Sequence, residues 1–257
     1  MELRISTLTL EAFLLVLVRT GGFIVTAPLF SHKSINTRLR ILIAGCIAIT
    51  LFASVDFPLP EYDTVFGYTV LVIKELLIGL SLGFVSSVVM AIIVMAGEFI
   101  DREIGFSMAT TFDPSMGTMV TITAELYDKM LYLVILITNL HFYILRALAQ
   151  SFDVVPLGHV NINYGFLFTE VLSFMGQYFS IGFRIAMPIF LSTIILNVIL
   201  GVISKSSPQM NMFAIGMQLK VLGGLLMFSI IVLFIPNIAN YLVEKMNDVV
   251  MTVLGGL

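Results

Sequence analysis

The sequence is poor in charged residues, has a single cysteine and contains no tryptophan. Charged residues make up 11% of its 257 positions, whereas they make up about a quarter of an average soluble domain. The lone cysteine, Cys46, excludes a disulfide within one chain and a metal site built from several cysteines. The net charge of −3 argues against a nucleic-acid partner, because such partners bind basic surfaces.

Catalytic motifs are also missing from the sequence. The three histidines, His32, His141 and His159, lie in different segments and show no metalloprotease spacing. Neither a phosphate-binding loop nor a GxSxG nucleophile turn is present. No enzymatic activity, metal or cofactor is therefore expected, although an intramembrane enzyme remains a weaker alternative.

Hydrophobic residues are correspondingly abundant. They make up 59% of the chain, and the mean hydropathy is +1.06. This composition predicts an all-α, polytopic membrane protein, with the whole chain, 1–257, in one membrane-embedded domain. The fifth apolar segment contains Pro188 and is expected to be a kinked helix or a tight hairpin. The six apolar segments are Leu8–Phe30, Leu39–Val55, Val65–Ala96, Met130–Leu148, Tyr164–Ile203 and Leu219–Ile238.

A line of small residues runs along the third segment at intervals of four. It consists of Gly79, Gly83, Ser87 and Ala91, within the uncharged run Leu76–Ala96. This small-xxx-small pattern allows a neighbouring helix to approach backbone to backbone in a bilayer. The four residues are therefore predicted to form a helix-packing face.

The segment that follows this helix, Gly105–Gly117, is unusual for a loop. Glycines bound it, Asp113-Pro114 interrupts it, and it mixes phenylalanine and methionine with small polar residues. It is too apolar for a solvated loop and too broken for a helix. Such a loop needs a surface to lie against, and its methionines can adapt to an irregular one.

Several charged residues lie inside or beside the apolar segments. A basic residue at mid-membrane costs about 2.5–3.5 kcal/mol on insertion scales, so Arg19 and Arg184 are expected to face a partner or a watery cavity. Glu98 and Asp101 share a helix face and could bind a proton or a cation. Arg102, four residues after Glu98, offers a simpler explanation as an ion-pair partner.

Three clusters stand out along the chain. They are Arg19–Phe30 (RTGGFIVTAPLF), Ala96–Asp101 with Gly105–Ala109 and Asp113-Pro114, and Ser207–Gly216 (SPQMNMFAIG). Together they resemble the FliR family of export-gate proteins from the flagellar type III secretion system, which is related to the SctT proteins of injectisomes. The resemblance covers nearly the whole chain, although Asn36 and Gln218 stand where the family often has proline.

The resemblance implies a subunit of a closed, helical hetero-oligomeric gate in the bacterial inner membrane, at the flagellar basal body. Its expected partners are FliP-like and FliQ-like membrane subunits, an FlhB-like export protein, and the unfolded flagellar proteins that pass through the pore. The loop would be the plug of that pore. The residues expected to form the plug are Gly105, Phe106, Met108, Phe112, Asp113, Pro114, Met116 and Gly117.

A small-molecule or ion transporter is the main alternative function. Buried charges and broken segments favour it. The lack of an internal repeat, and of polar clusters at matched positions in two halves, argues against it.

Overall fold

The computed structural model describes residues 7–32, 35–55, 57–58, 62, 64–106, 110–113, 118–159, 163–206 and 212–256. Within these ranges the chain is almost entirely helical, with one short antiparallel β-hairpin and a 3₁₀ turn at Val232–Phe234. The helices are α1 (Thr7–Thr26), α2 (Thr37–Ser54), α3 (Val65–Met90), α4 (Ile92–Ile104), α5 (Ile122–Ile137), α6 (His141–Val154), α7 (Tyr164–Ser206), α8 (Met212–Ile231) and α9 (Ile235–Leu254), and the strands are β1 (Thr110–Asp113) and β2 (Thr118–Thr121).

Five helical stretches of the described chain are long and apolar enough to cross a membrane, and the bent pair α5–α6 makes a sixth if it counts as one span. This confirms the predicted all-α, polytopic membrane class. The stretches are Thr7–Thr26, Thr37–Ser54, Val65–Ile104, Gly165–Ser206 and Ile215–Leu254.

Two helix ends follow directly from local sequence. Helix α1 ends at Thr26, because Ala27 precedes Pro28 and the residue before a proline is disfavoured in the helical region. Asn36 caps the N-terminus of α2. Its side-chain oxygen accepts a hydrogen bond from the backbone N–H of Arg38 at 3.1 Å.

The structure corrects three expectations about the apolar segments. The fifth segment is one helix of 43 residues with Pro188 inside it, so of the two expected alternatives the hairpin is wrong. The fourth is divided between α5 and α6, which meet at an angle of 75°. Asn139 lies in that bend with a φ of 60°, a left-handed conformation that asparagine tolerates better than most residues.

The third correction concerns the last segment, which extends well past Ile238. Helix α9 follows the 3₁₀ turn and continues to Leu254. Helix α9 does not form a continuous apolar run, because polar residues on its less buried face interrupt the apolar residues of its buried face. The buried face carries Ala239, Leu242, Val243, Met246, Val250 and Leu254.

The described chain divides into two compact units. The first comprises 1–89, 140–174 and 243–257. Leu15, Val16 and Phe23 of α1 are completely buried in it. A chain of ring contacts extends this core from α1 to α6, and the rings are those of Phe13, Phe52, Phe57 and Phe152.

The second unit comprises 90–139 and 175–242. Its centre is the pair α4 and α5, which the hairpin connects. Ile93 and Ile100 of α4 and Leu131 of α5 are almost completely buried there. Tyr127 of α5 stacks on Phe228 of α8 with 5.2 Å between ring centroids, so α8 packs against the same helix pair.

Candidate functional site

The candidate loop begins at a well-defined helix end. Helix α4 stops at Ile104, and Gly105 adopts a left-handed conformation with a φ of 96°. Its N–H donates to the carbonyl of Asp101 at 3.0 Å. A residue with a side chain is strained at such a φ, so glycine is needed where the chain leaves the helix.

The loop returns to α5 through a β-hairpin that the sequence did not predict. Strand β1 pairs with β2 in an antiparallel register that places Thr110 opposite Thr121 and Asp113 opposite Thr118. The two strands, TTFD and TMVT, are only four residues long and are mostly polar, so they give no strand pattern that stands out from the glycines and the proline around them. The two ends of the loop are therefore held side by side.

Only part of the predicted plug lies within the described residues. Gly105 is exposed and Phe106 is half-buried. Phe112 and Asp113 belong to the backbone of β1. The remaining predicted plug residues lie outside the described residues, and these are Met108, Pro114, Met116 and Gly117.

A buried carboxylate joins the two helices at the base of the loop. Asp101 of α4 is completely buried. Its Oδ2 accepts the backbone N–H of Thr123 at 2.8 Å, and its Oδ1 accepts the hydroxyl of Thr123 at 2.5 Å. Thr123 is in the first turn of α5, where the backbone N–H groups have no partner inside the helix. Because the N-terminal end of a helix also carries partial positive charge, Asp101 is a cap supplied by the neighbouring helix.

A glycine lets α4 and α5 approach closely beside this cap. A Cβ at Gly97 would collide with the backbone of Ala124, whose nitrogen would be 2.7 Å away. Gly97 is therefore required by the same contact that brings Asp101 to Thr123. Together the two contacts form a clamp, and we call the residues Gly97, Asp101, Thr123 and Ala124 the loop clamp.

Glu98 and Asp101 do not form a joint site. Asp101 points into the contact with α5, whereas the side chain of Glu98 is 40% exposed. Glu98 Oε2 lies 3.8 Å from Nη2 of Arg102, as the spacing of four predicts. An exposed pair of this kind contributes little to stability. Among the residues that the structure describes, no group of three His, Cys, Asp or Glu could hold a metal ion.

Arg19 is the centre of a second polar cluster, in the first unit. Its side chain is completely buried, and Nε donates to Oε2 of Glu75 on α3 at 2.5 Å. Nη1 donates to the carbonyls of Ser151 and Val155 at 3.0 and 2.9 Å. The guanidinium carbon lies 4.3 Å from the ring centroid of Phe152. Arg19 thereby ties α1 to α3 and to the end of α6.

Glu75 is the functional neighbour that the sequence did not reveal. Its side chain is completely buried. Its other oxygen, Oε1, accepts the N–H of Gly158 at 3.1 Å. Glu75 is the single acid within a long apolar helix, and Arg19 is a basic residue within another. Because a buried charge needs a partner, this pattern could have predicted that the two residues pair.

The small-residue line on α3 packs against α1 of the same chain. A Cβ at Gly79 would collide with the carbonyl of Arg19, and one at Gly83 would lie 2.6 Å from the carbonyl oxygen of Phe23. The contact at Gly22 of α1 is somewhat less close, since its Cβ would be 3.0 Å from the carbonyl oxygen of Leu76. Both helices therefore use glycine to bring their backbones together.

The other two members of the line have different surroundings. Ser87 donates its hydroxyl to the carbonyl of Thr26, which continues the contact with α1. Ala91 lies at the single-residue break between α3 and α4, where its carbonyl accepts the hydroxyl of Tyr178 at 3.4 Å. A role for this line in contacts with other subunits stays a prediction.

Arg184 differs from Arg19 because it is exposed. It lies near the middle of α7, on the rim of a mainly apolar groove in the second unit. The structure therefore separates the predicted charged residues into a buried cluster around Arg19, a clamp at Asp101, an exposed pair at Glu98 and Arg102, and Arg184, which has no ion-pair partner among the described residues.

Comparisons with known proteins agree with this architecture. The model of the family "Bacterial export proteins, family 1" matches residues 10–246. The flagellar biosynthetic protein FliR of Bacillus subtilis is 31% identical over 92% of this chain and 93% of the relative. The FliR proteins of Aquifex aeolicus and Escherichia coli are 30% and 27% identical, over 93% and 94% of this chain and 93% and 92% of the relatives. The chain therefore belongs to family 1 of the bacterial export proteins.

Proposed function

We propose that the chain is one subunit of the flagellar protein-export gate, where it helps to form and close the pore through which unfolded flagellar proteins cross the inner membrane. The family match over residues 10–246 carries this proposal. As a member of that family with flagellar relatives over more than nine-tenths of its length, the chain is a component of the flagellar export apparatus. The match does not support the transporter alternative.

The loop Gly105–Gly117 is the proposed plug of the pore. A plug needs an adaptable tip and a fixed base. The loop clamp provides support for a fixed base, since Asp101 and Gly97 hold α4 and α5 together where the loop leaves one helix and returns to the other. The methionines and phenylalanines of the loop suit an adaptable tip, because apolar contacts can adjust to an irregular surface whereas hydrogen bonds need fixed geometry.

The proposed partners are FliP-like and FliQ-like membrane subunits and an FlhB-like export protein at the flagellar basal body. The apolar surface of the long helices supports this. Only 17% of an apolar 18-residue stretch of Gly165–Ser206 is buried within the described chain, and the figure for Ile215–Leu254 is the same. Subunits packed around these helices would cover that surface. In such an assembly the whole chain acts as one membrane-embedded domain without catalytic activity.

Co-expression and genetics test the proposed function together. A tagged copy should be purified from membranes with the FliP-like and FliQ-like proteins encoded in the same genome. Deletion of the gene should abolish secretion of flagellar filament and hook proteins into the medium. Two results together would contradict the proposal: purification of the tagged chain as a homo-oligomer without these partners, and flagellar secretion that survives deletion of the gene.

A further inference from the structure

A groove of about 350 Å³ opens in the second unit between α7 and the junction of α8 with α9. Its walls are apolar except for two side chains, Arg184 and Tyr241, among the described residues that line it. Phe234 and Tyr241 on one side are 54% and 46% exposed. The groove is therefore an open apolar cleft with a cation and a phenol at its edge.

Arg184 has no anion to balance it in the part of the chain that the structure describes. Its side chain is exposed, and the ion pairs of the described residues do not include it. Pro188, one turn later, has no N–H to donate to the carbonyl of Arg184. The guanidinium thus brings five N–H donors to the edge of the groove, and no ion pair of the described residues uses them.

The position of Arg184 along α7 makes this imbalance costly. It is the only charged residue between positions 171 and 204, a run that is about 51 Å long at 1.5 Å per residue. Arg184 lies about 20 Å from one end of the run, close to its middle. An unpaired arginine far from the ends of an apolar run is strongly unfavourable in hydrocarbon, so such residues pair with an acid or face a polar cavity.

We propose that this groove binds an apolar membrane helix of a partner subunit, and that an aspartate or glutamate of that helix forms an ion pair with Arg184. The proposal rests on the proposed function, since it needs a partner subunit within an assembled gate. The guanidinium presents a planar fork that matches a carboxylate, and Tyr241 provides a further donor at the same edge. The apolar walls receive the rest of the partner helix.

The length of the apolar run around Arg184 favours a protein carboxylate over a lipid phosphate. Phosphates lie at the bilayer surface, about 15 Å from the midplane of a core about 30 Å thick. Because such a core covers only about 30 Å of a run of about 51 Å, lipid cannot surround the whole run, and a phosphate reaches Arg184 only where the residue lies at the edge of the covered part. A carboxylate carried by a neighbouring helix can be at the same depth, and mutual pairing reduces the cost for both charges.

Charge reversal in the co-expressed complex tests the inference. Arg184→Glu should reduce the amount of one partner subunit purified with the tagged chain at least about tenfold, because two like charges would face each other in an apolar groove. Arg184→Lys should retain most of the partner, since it keeps the charge and loses only the fork geometry. Lys205→Glu, a reversal of the exposed cation at the end of α7, is the matched control and should leave the complex unchanged.

A photo-crosslinker identifies the occupant. With p-benzoylphenylalanine at position 241, the crosslinked peptide should come from an apolar helix of a partner and contain Asp or Glu. Replacing that acid by Arg in the Arg184→Glu background should restore the complex. A crosslink to phospholipid, a peptide without an acid, or an undisturbed Arg184→Glu complex would overturn the inference. Failure of the unmodified chain to bring down any partner would instead count against the proposed function.

Discussion

Arg19 of α1 and Glu75 of α3 form an ion pair in which both side chains are completely buried, with 2.5 Å between Nε and Oε2. The residues are 56 positions apart in the sequence. Taking two charges out of water is expensive, and their attraction offsets that cost only while both are present. The pair therefore makes the stability of the first unit depend on both residues at once.

Removal of one partner should destabilise the chain strongly. Arg19→Leu leaves the carboxylate of Glu75 buried with one hydrogen bond, from Gly158, and should lower the free energy of unfolding by about 3–5 kcal/mol. Denaturant titration in detergent micelles, followed by far-UV circular dichroism, measures the loss.

The double variant Arg19→Leu with Glu75→Leu is the informative control. Because apolar residues of similar volume often replace a buried ion pair at little cost, it should be more stable than Arg19→Leu alone. A double variant that loses the sum of the two single losses would show that the two charges are not coupled.

The contact between α1 and α3 should tolerate no side chain at its glycines. Gly83→Leu places carbon atoms against the backbone of Phe23 and Ala27, which cannot move aside as a side chain could. We expect a loss of at least about 1–3 kcal/mol from overpacking and little assembled complex. Blue-native electrophoresis of membranes containing the partners measures assembly.

Gly21→Ala is the matched control for this prediction. Gly21 is on α1, next to Gly22, but a Cβ at Gly21 would meet no other atom within 4 Å. Since alanine is also the better helix former, Gly21→Ala should assemble normally. Normal assembly of Gly83→Leu would mean that the glycine contact is not needed in the complex.

The loop clamp should depend on the charge of Asp101. Asp101→Asn keeps the shape but removes the carboxylate that accepts two hydrogen bonds from Thr123, and hydrogen bonds to charged groups contribute about 1.5–3 kcal/mol each. The free energy of unfolding should fall by at least about 1.5–3 kcal/mol, the contribution of one such bond. Hydrogen exchange of the Thr123 amide should become faster.

Glu98→Gln tests whether the effect belongs to the buried acid. Glu98 is three residues earlier on the same helix but is partly exposed and paired loosely with Arg102. Its replacement should change stability by less than about 1 kcal/mol. Equal losses for the two variants would contradict the assignment of Asp101 as the cap of α5.

The plug can be removed while its base is kept. Thr110 and Thr121 face each other across the hairpin, and opposed Cα atoms are about 5 Å apart, so Gly-Gly can replace residues 111–120. The shortened complex should assemble but leak ions and small solutes when no substrate is exported. Small-dye uptake by cells that express the complex measures the leak.

Methionine substitutions separate bulk from specific contacts. Met108→Leu and Met116→Leu keep apolar volume and should be mild, whereas Ser at the same positions should leak, because the proposed seal depends on apolar contacts. If the shortened complex stays as tight as the parent, the seal lies in another subunit.

The class of the fold was predictable because apolar runs and sparse charges leave few alternatives. The end of α1 before Pro28 and the exit from α4 at Gly105 followed from the backbone limits of proline and glycine. The ion pair between Glu98 and Arg102 followed from helical spacing. Each of these depends on residues close together in the sequence.

What could not be predicted depends on distant residues or weak local signals. The pairing of Glu75 with Arg19 requires knowing that α3 lies on α1, and the cap from Asp101 to α5 requires the turn between them. Helix α9 is half polar, so a search for apolar runs missed it. The bend at Asn139 lies within Met130–Leu148, which the sequence predicts as one continuous apolar segment.

The length of α7 decides which surroundings it can have. A helix of 43 residues is about 65 Å long, so a hydrocarbon core about 30 Å thick can surround less than half of it unless the helix tilts by about 60°. Phe168 and Val202, near its two ends, are 67% and 63% exposed. Lipid cannot cover both at once, so protein has to cover at least one. A copy made without its partners is therefore an orphan subunit with unprotected apolar surface, and we expect cellular proteases to remove it quickly.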